Sequence, residues 1–561
     1  MPATPFHDIF QQFAALLMLA AVVGYIAHRL RQPLIVSFIV VGIVAGPAVL
    51  GWVEESAPVR LLADMGIALL LFVVGLKLDL HLIRTMGPVA LATGLGQVLF
   101  TSVVGYLLSL ALGLSPTAAL YVAVALTFSS TIIIVKLLSD KREIDALHGR
   151  IAVGFLIVQD IVVVLVMIGL SAFGAGTGGD DLALEMAQVV LKGIALLVGV
   201  GVLMRYILPL VLARLAQIQE LLVLFAIAFA VALGAAGELL GFSKEVGAFL
   251  AGVALASTPY REALGARLVT LRDFLLVFFF VSLGATLEMD TLGAQIGPAV
   301  ALSLFVLIGN PLIVLVIMGA MGYRKRTGFL AGLTVAQISE FSLILAALGL
   351  GLGHIDENTV GLITVVGLIT IGLSTYMILY SHHLYRVLAP WLSVFERAVP
   401  YRELSLEGTR GPVRTDVILF GLGRFGTRLA HRLREHDYHV LGVDFDPQTV
   451  SQWRSKGLAA QYGDAEDPEF HATLPLHQAR WVVSSIPHRD INVLLLQSLP
   501  NHGFRGRTAL AAHTQHDAER LEAAGADIVL LPFIDAADQA VDRLLEEEAA
   551  LAQDAGGAKG T

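Results

Sequence analysis

Apolar residues run in long blocks through the first 389 positions of the chain, then give way to short alternating runs. Thirteen blocks are long enough to cross about 30 Å of hydrocarbon. They lie near 9–28, 34–50, 60–78, 87–112, 117–138, 150–173, 186–208, 217–237, 244–257, 269–287, 296–320, 327–350 and 359–386. The charges between them sort by side. His28, Arg29 and Arg31, Lys77 and Arg84, Lys141, Arg142 and Arg150, and Arg214 fall in alternate breaks. So do Arg261, Arg267 and Arg272, Arg324-Lys325-Arg326, and Arg386. The opposite breaks carry Glu54-Glu55, Asp180-Asp181, Glu238, Glu288 with Asp290, and Asp356-Glu357. Basic loops mark the cytoplasmic face, so the chain is expected to begin outside the membrane and end in the cytoplasm. Residues 1–8 have no basic stretch or small-residue cleavage site. The first block therefore reads as a retained helix.

The blocks also repeat. Phe72-Val-Val-Gly75 in the third answers Phe280-Val-Ser-Leu-Gly284 in the tenth, and Phe38-Ile-Val-Val-Gly42 in the second answers Ala248-Phe-Leu-Ala-Gly252 in the ninth. Leu126-Thr-Phe-Ser-Ser-Thr131 in the fifth answers Val335-Ala-Gln-Ile-Ser-Glu-Phe-Ser342 in the twelfth. Each pair is seven blocks apart, so its members cross in opposite senses. Inverted repeats with interrupted helices and a midplane site are a design of secondary transporters.

Beyond a Pro- and Gly-bearing linker at 390–414, the pattern changes to strands alternating with helices, with strands predicted at 416–420, 439–444, 478–485, 507–512 and 527–531 and a short one before Tyr462. The expected architecture is a polytopic α-helical membrane domain over 1–389, followed by a Rossmann-like α/β domain over 415–545. A fraying, disordered tail is expected over 546–561.

Composition sharpens this division. The 561 residues are 56% hydrophobic and 15% charged, with a mean hydropathy of +0.77; a soluble domain is about a quarter charged. From Thr415 onward, 13 Lys and Arg face 21 Asp and Glu, which places −8 of the net −9 in the soluble part. An acidic soluble domain argues against nucleic acid as a partner. With no cysteine, disulfides, thiol redox sensing and thiolate metal sites are excluded.

Asp160 is the sharpest candidate for chemistry. It stands mid-block with Gln159 beside it and no other ionisable side chain within 151–173. A carboxylate at that depth costs about 2.5–3.5 kcal/mol, so it must face protein or water and be neutralised by a proton or a cation. Block five holds Thr127, Ser129, Ser130 and Thr131, and block twelve Gln337, Ser339, Glu340 and Ser342; their hydroxyls can bond to main-chain carbonyls and loosen a helix. Free backbone groups survive at membrane depth only where they line a cavity, so both blocks read as broken helices crossing beside Gln159-Asp160. A hard monovalent cation would take the Asp160 carboxylate, the Gln159 carbonyl, hydroxyls and main-chain oxygens. Desolvation works against a charged carboxylate, so a proton can displace the cation near neutral pH. Alternating exposure of that one group would give obligatory exchange. With no Lys or Arg within 274–287, one-for-one electroneutral exchange is the simplest stoichiometry. The competing readings make Asp160 a structural group, Glu340 a counter-charge for a broken helix end, and the hydroxyls helix–helix glue.

Asp416-Val-Ile-Leu-Phe-Gly421-Leu-Gly423-Arg-Phe-Gly426 is a strand entering a glycine turn and a helix over 427–435. A second strand ends on Asp444, 21 residues past Gly423. That is the dinucleotide fingerprint in its βαβ context: glycines admit phosphate, the helix N-terminus faces it, and the acid accepts from ribose hydroxyls. Gly421, Gly423, Arg424, Phe425, Gly426 and Asp444 form the expected cradle, with Asp464 at the cleft. The acid disfavours a 2′-phosphate, leaving NAD(H) or an adenine mononucleotide such as AMP. No catalytic His, Lys or Tyr constellation accompanies it, so the domain reads as a sensor, not an enzyme.

Ser129-Ser130-Thr131, Gly154-Phe-Leu-Ile-Val-Gln159-Asp160, Phe278-Phe-Phe-Val-Ser-Leu-Gly284 and Gln337-Ile-Ser-Glu340-Phe-Ser together resemble the monovalent cation:proton antiporter-2 family, especially its Kef-type potassium efflux members. The C-terminal part, including Gly463-Asp464, resembles the TrkA-N half of regulator-of-potassium-conductance domains. The resemblance implies a homodimer, with spans 1–3 and 8–10 as scaffold and spans 4–6 and 11–13 as the moving transport domain. It implies potassium at Asp160 and Gln159, AMP or NAD(H) as regulatory ligand, and an ancillary regulatory protein as a further candidate partner. Glutathione gating is not carried over: no motif for it is present, and no second regulatory lobe is expected after Asp542. A sodium/proton antiporter on the same scaffold and a nucleotide-gated channel remain as alternatives.

Overall fold

A computed structural model describes residues 9–47, 49–52, 57–77, 87–174, 191–193, 195–196, 198–215, 218–240, 242–286, 289–397 and 414–557. The chain divides at about Ala398 into two compact units, each described by itself.

The first unit is helical. It runs α1 (Ile9–Arg29), α2 (Leu34–Ala45), α3 (Ala57–Lys77), α4 (Gly87–Ala111), α5 (Pro116–Ala125), α6 (Thr131–Asp140) and α7 (Leu147–Gly174). The helical stretch Leu191–Leu212 includes a π turn at Leu203–Ile207 and continues as α8 (Leu208–Leu215). Then come α9 (Gln219–Leu239), α10 (Lys244–Ala256), α11 (Arg261–Ala285), α12 (Met289–Leu304), a π turn at Phe305–Gly309, and α13 (Asn310–Ala320). The last are α14 (Lys325–Leu333), α15 (Glu340–Gly351), α16 (Glu357–Leu379) and α17 (Ser381–Leu392). Among the described residues nine helices are long and apolar enough to cross a membrane, and three shorter apolar ones join them. The expected spans 117–138 and 327–350 are each split, into α5 with α6 and α14 with α15.

Where the helices cross follows the glycines singled out by the repeat. A Cβ on Gly42 of α2 would lie 2.2 Å from the Val281 carbonyl of α11, and one on Gly284 would lie 2.2 Å from that of Ile39. At the α3–α10 crossing, a Cβ on Gly75 would lie 2.3 Å from the Phe249 carbonyl, and one on Gly252 2.0 Å from that of Phe72. Exchanging the second block with the ninth and the third with the tenth turns one crossing into the other. Around them Leu69, Phe72, Leu76, Ala251, Phe280 and Phe341 form the apolar core.

Two expected boundaries move. The charges of Arg261, Arg267 and Arg272 predict a loop, yet all three lie on α11, which starts well before residue 269. A long basic side chain can bury its stem while its head seeks polar company, and Arg272 is buried beside Asp273. The linker expected from 390 begins later, because α17 continues through Pro390 to Leu392.

The second unit is a six-stranded parallel sheet: β1 (Val417–Phe420), β2 (Val440–Asp444), β3 (Ala460–Tyr462), β4 (Trp481–Ser484), β5 (Arg507–Ala511) and β6 (Ile528–Leu530). Its order is β3-β2-β1-β4-β5-β6, with Val417 in register with Val440 on one side and Trp481 on the other. Helices α18 (Arg424–Glu435), α19 (Pro447–Ser455), α20 (Pro468–His471), α21 (Arg489–Ser498) and α22 (Gln515–Ala523) pack around the sheet and leave β1 buried on both faces, as parallel sheets require, while α23 (Pro532–Gly557) follows β6 and is exposed from Phe533 to Glu546. The tail expected to be disordered from 546 is helical as far as Gly557. The Leu-, Ala- and Glu-rich sequence there is intrinsically helix-favouring. Residues 558–561 lie outside the described part.

Candidate functional site

The two interrupted helices meet where the sequence places their hydroxyl-rich stretches. Chain from Leu126 to Ser130 leaves the helix between α5 and α6, and chain from Thr334 to Ser339 does so between α14 and α15. New helix ends are capped by the same residues. Ser130 accepts from the Ile133 amide at 3.3 Å, and Ser339 accepts from the Phe341 amide at 3.2 Å while Ser342 accepts from the Ser339 amide at 3.3 Å. Ser342 also donates to the Ala125 carbonyl at 2.5 Å, so the end of α5 meets the start of α15. That contact is the crossing.

Asp160 of α7 lies against this crossing. Thr131, the first residue of α6, donates to Asp160 Oδ2 at 3.0 Å. Glu340, the first residue of α15, accepts from Ser339 Oγ at 3.4 Å. Both half-helices thus direct N-terminal ends, which carry partial positive charge, toward two carboxylates. Thr131, Asp160 and Glu340 line one cavity of about 620 Å³. The cavity continues past Lys136, Ser139 and Asp140 of α6 and past Arg272 and Asp273 of α11, toward the ends that carry the basic loops. Arg272 was not expected here. It donates to Asp273 Oδ1 at 2.6 and 2.9 Å, so its charge is met within the pair.

The other expected residues are close by but off the cavity. Gln159 is fully buried, accepts from the Ser129 amide at 3.2 Å and donates to Gln97 Oε1 at 2.7 Å. Gln337 accepts from Ser374 at 2.8 Å, and Thr370 accepts from the Ile338 amide at 3.3 Å. Among the described residues, Ser129 Oγ and Gln337 Nε2 are buried without a hydrogen-bond partner. Gln97, Thr101, Asn310, Thr370 and Ser374 were missed. Each is a neutral polar residue within an apolar block, the signal that flagged Asp160 but without the charge.

In the second unit the fingerprint residues come together at the strand-order reversal between β1 and β4, where open α/β sheets bind ligands. Gly421 holds φ +84°, and a Cβ on Gly426 would lie 2.0 Å from the Gly421 carbonyl, so the turn can close only with glycine at both places. Gly423, Arg424 and Phe425 are exposed at the start of α18. Asp444 ends β2 and accepts from the Leu422 amide at 2.7 Å and the Asp446 amide at 2.9 Å. Burial pushes its carboxyl above the usual range, opposed by those two bonds. Asp464 follows β3 and accepts from the Glu466 amide at 2.9 Å. Ser485, not singled out from sequence, donates to the Gly421 carbonyl at 2.8 Å across the crevice. The exposed turn, the amides of α18 and the acid at the end of β2 fit a nucleotide. No cluster of three metal-ligating side chains occurs among the described residues.

Comparison with known proteins matches both units. Residues 17–379 match the transmembrane sodium/hydrogen exchanger family, and residues 417–532 match the TrkA-N domain. A protein of Escherichia coli strain K12, provisionally named cation/proton antiporter YbaL, is 30% identical over 84% of this chain and 86% of its own length. The K(+) efflux antiporter 4 of Arabidopsis thaliana is 32% identical over 64% of this chain and 62% of its own. The Na(+)/H(+)-K(+) antiporter GerN of Bacillus cereus is 29% identical over 67% of this chain and 96% of its own.

Proposed function

Since the chain belongs to the transmembrane sodium/hydrogen exchanger family and carries a TrkA-N domain behind its membrane part, we propose that it exchanges potassium for protons across a bacterial inner membrane under the control of a cytoplasmic adenine nucleotide. It is a secondary transporter, not an enzyme. The observation that carries the mechanism is Asp160, set at the crossing of two broken helices and open to a cavity. Its carboxylate takes a proton or a cation, and the second guest displaces the first. Glu340 shares the cavity and adds negative potential without direct transfer. Because Arg272 is paired with Asp273, the cavity contains no unbalanced fixed cation from that helix, in keeping with one-for-one exchange.

The arrangement supports α1–α3 and α9–α11 as scaffold, locked at its glycine crossings, and α4–α7 with α12–α16 as the moving part. We assign the membrane domain to 1–392 with thirteen crossings, its N-terminus outside, and the linker to 393–414. The nucleotide domain, 415–545, is cytoplasmic, and the working unit is a homodimer. AMP or NAD(H) would lie on Gly421, Gly423, Arg424, Phe425 and Gly426, with Asp444 on the ribose and Asp464 at the cleft. The names of the relatives favour potassium but include sodium. Proton flux in reconstituted vesicles tests the reading: an outward potassium gradient should drive proton uptake, and Asp160→Asn should abolish it. Sodium driving it better than potassium would move the substrate to sodium, and flux surviving Asp160→Asn would overturn the mechanism.

A further inference from the structure

The two ends of the break in the fifth span are tied together by side chains from three other helices. The Ser129 amide donates to Gln159 Oε1 at 3.2 Å, and Gln159 Nε2 donates to Gln97 Oε1 at 2.7 Å. Gln97 Nε2 donates to Thr101 Oγ1 at 3.1 Å, and Thr101 donates to Asn310 Oδ1 at 2.7 Å. Asn310 Nδ2 closes the path on the Leu126 carbonyl at 3.2 Å. The bonds all point one way along the path, from a main-chain donor at one end of the break to a main-chain acceptor at the other. Gln97, Thr101, Gln159 and Asn310 are all fully buried. In that setting a missing partner leaves its neighbour unsatisfied, which costs more than the bond was worth. Loss of one member therefore disturbs all of them.

We infer that Gln97, Thr101 and Asn310, acting through Gln159, form a buried clamp that holds the unwound Leu126–Ser130 stretch in the shape that receives the cation. They are positioning residues, and none lines the cavity. The inference rests on the exchange reading above and deepens it. A cation needs several oxygens at fixed distances, whereas a proton needs one oxygen of Asp160. The clamp should therefore govern cation affinity and leave proton affinity alone. Gln159 then acts as the buckle between clamp and break, with both ends of its amide already engaged.

The test uses the full chain in vesicles. Thr101→Val keeps the shape of the side chain and removes its hydroxyl. It should raise the potassium concentration for half-maximal exchange about tenfold, the effect of one buried hydrogen bond. With potassium set at the same multiple of each protein's own half-maximal concentration, the pH of half-maximal rate should stay put, and Thr101→Ser should behave as the unaltered protein. The clamp is refuted if folded Thr101→Val keeps its potassium dependence within twofold, if the pH profile shifts even at matched potassium saturation, or if Thr101→Ser is equally impaired. Should Thr101→Val not fold, Gln97→Met decides on the same readouts. If the unaltered protein shows no cation-dependent proton flux, it is the exchange reading that falls; normal exchange with insensitive variants removes the clamp alone.

Discussion

Glu143 shows how one side chain can join parts of the membrane unit that are far apart in sequence. It lies in the loop between α6 and α7, pairs with Lys141 at 2.8 Å, and accepts from His382 of α17 at 2.7 Å and His148 at 3.2 Å. Lys141 in turn donates to Ser381 at 2.7 Å and to the Ile378 carbonyl at 3.2 Å. Arg326 of α14 lies 3.4 Å from Nδ1, the other nitrogen of the His382 ring. Burial pushes the Glu143 carboxyl up, but the bonds from His148 and His382 and the charges of His148 and Lys141 outweigh it and hold it well below the usual range. A depressed carboxyl contributes stability above its ordinary titration range and loses it as acid protonates the folded form. Glu143→Gln should therefore cost about 2 kcal/mol near neutral pH, the cost of orphaning buried partners. The difference from the unaltered protein should shrink as pH falls below about 4. Thermal unfolding in detergent across pH checks both; a constant difference would contradict the assignment.

At the scale of elements, what could be read from sequence depended on whether a signal was local. The broken fifth and twelfth spans were legible because Thr127, Ser129, Ser130 and Thr131, and then Ser339 and Ser342, cluster within one turn or two and supply their own caps. The glycines at the crossings were legible through the repeat, since Gly42, Gly75, Gly252 and Gly284 leave no room for a side chain where carbonyls approach. The clamp was not legible: Thr101 and Asn310 stand 209 positions apart, and nothing in either block announces the other. The start of α11 was misplaced for a physical reason too. Charge ordinarily marks water, whereas Arg272 brings its own counter-ion in Asp273 and stays buried. The Rossmann strands came through to within a few residues, because a parallel sheet buries both faces and leaves short unbroken apolar runs such as Val417–Phe420.

On the scale of the whole molecule, the chain couples a transport unit to a nucleotide cradle of opposite solubility. The cradle was legible in outline from Gly421, Gly423, Gly426 and Asp444, while Ser485 needed the fold, since it reaches Gly421 from 64 positions away. Asp444→Asn should weaken binding of AMP or NAD(H) at least tenfold, as a carboxylate accepting from both ribose hydroxyls is replaced by an amide. Calorimetry on the full chain would show it, and unchanged affinity would place the nucleotide elsewhere. The transport claim is more central, and it predicts stoichiometric release of protons by the cation itself. Adding potassium to the purified, weakly buffered protein near neutral pH should release up to one proton per protomer in the unaltered chain and none in Asp160→Asn. Potassium binding with no proton released, or release undiminished in Asp160→Asn, would contradict the competition on which the account is built.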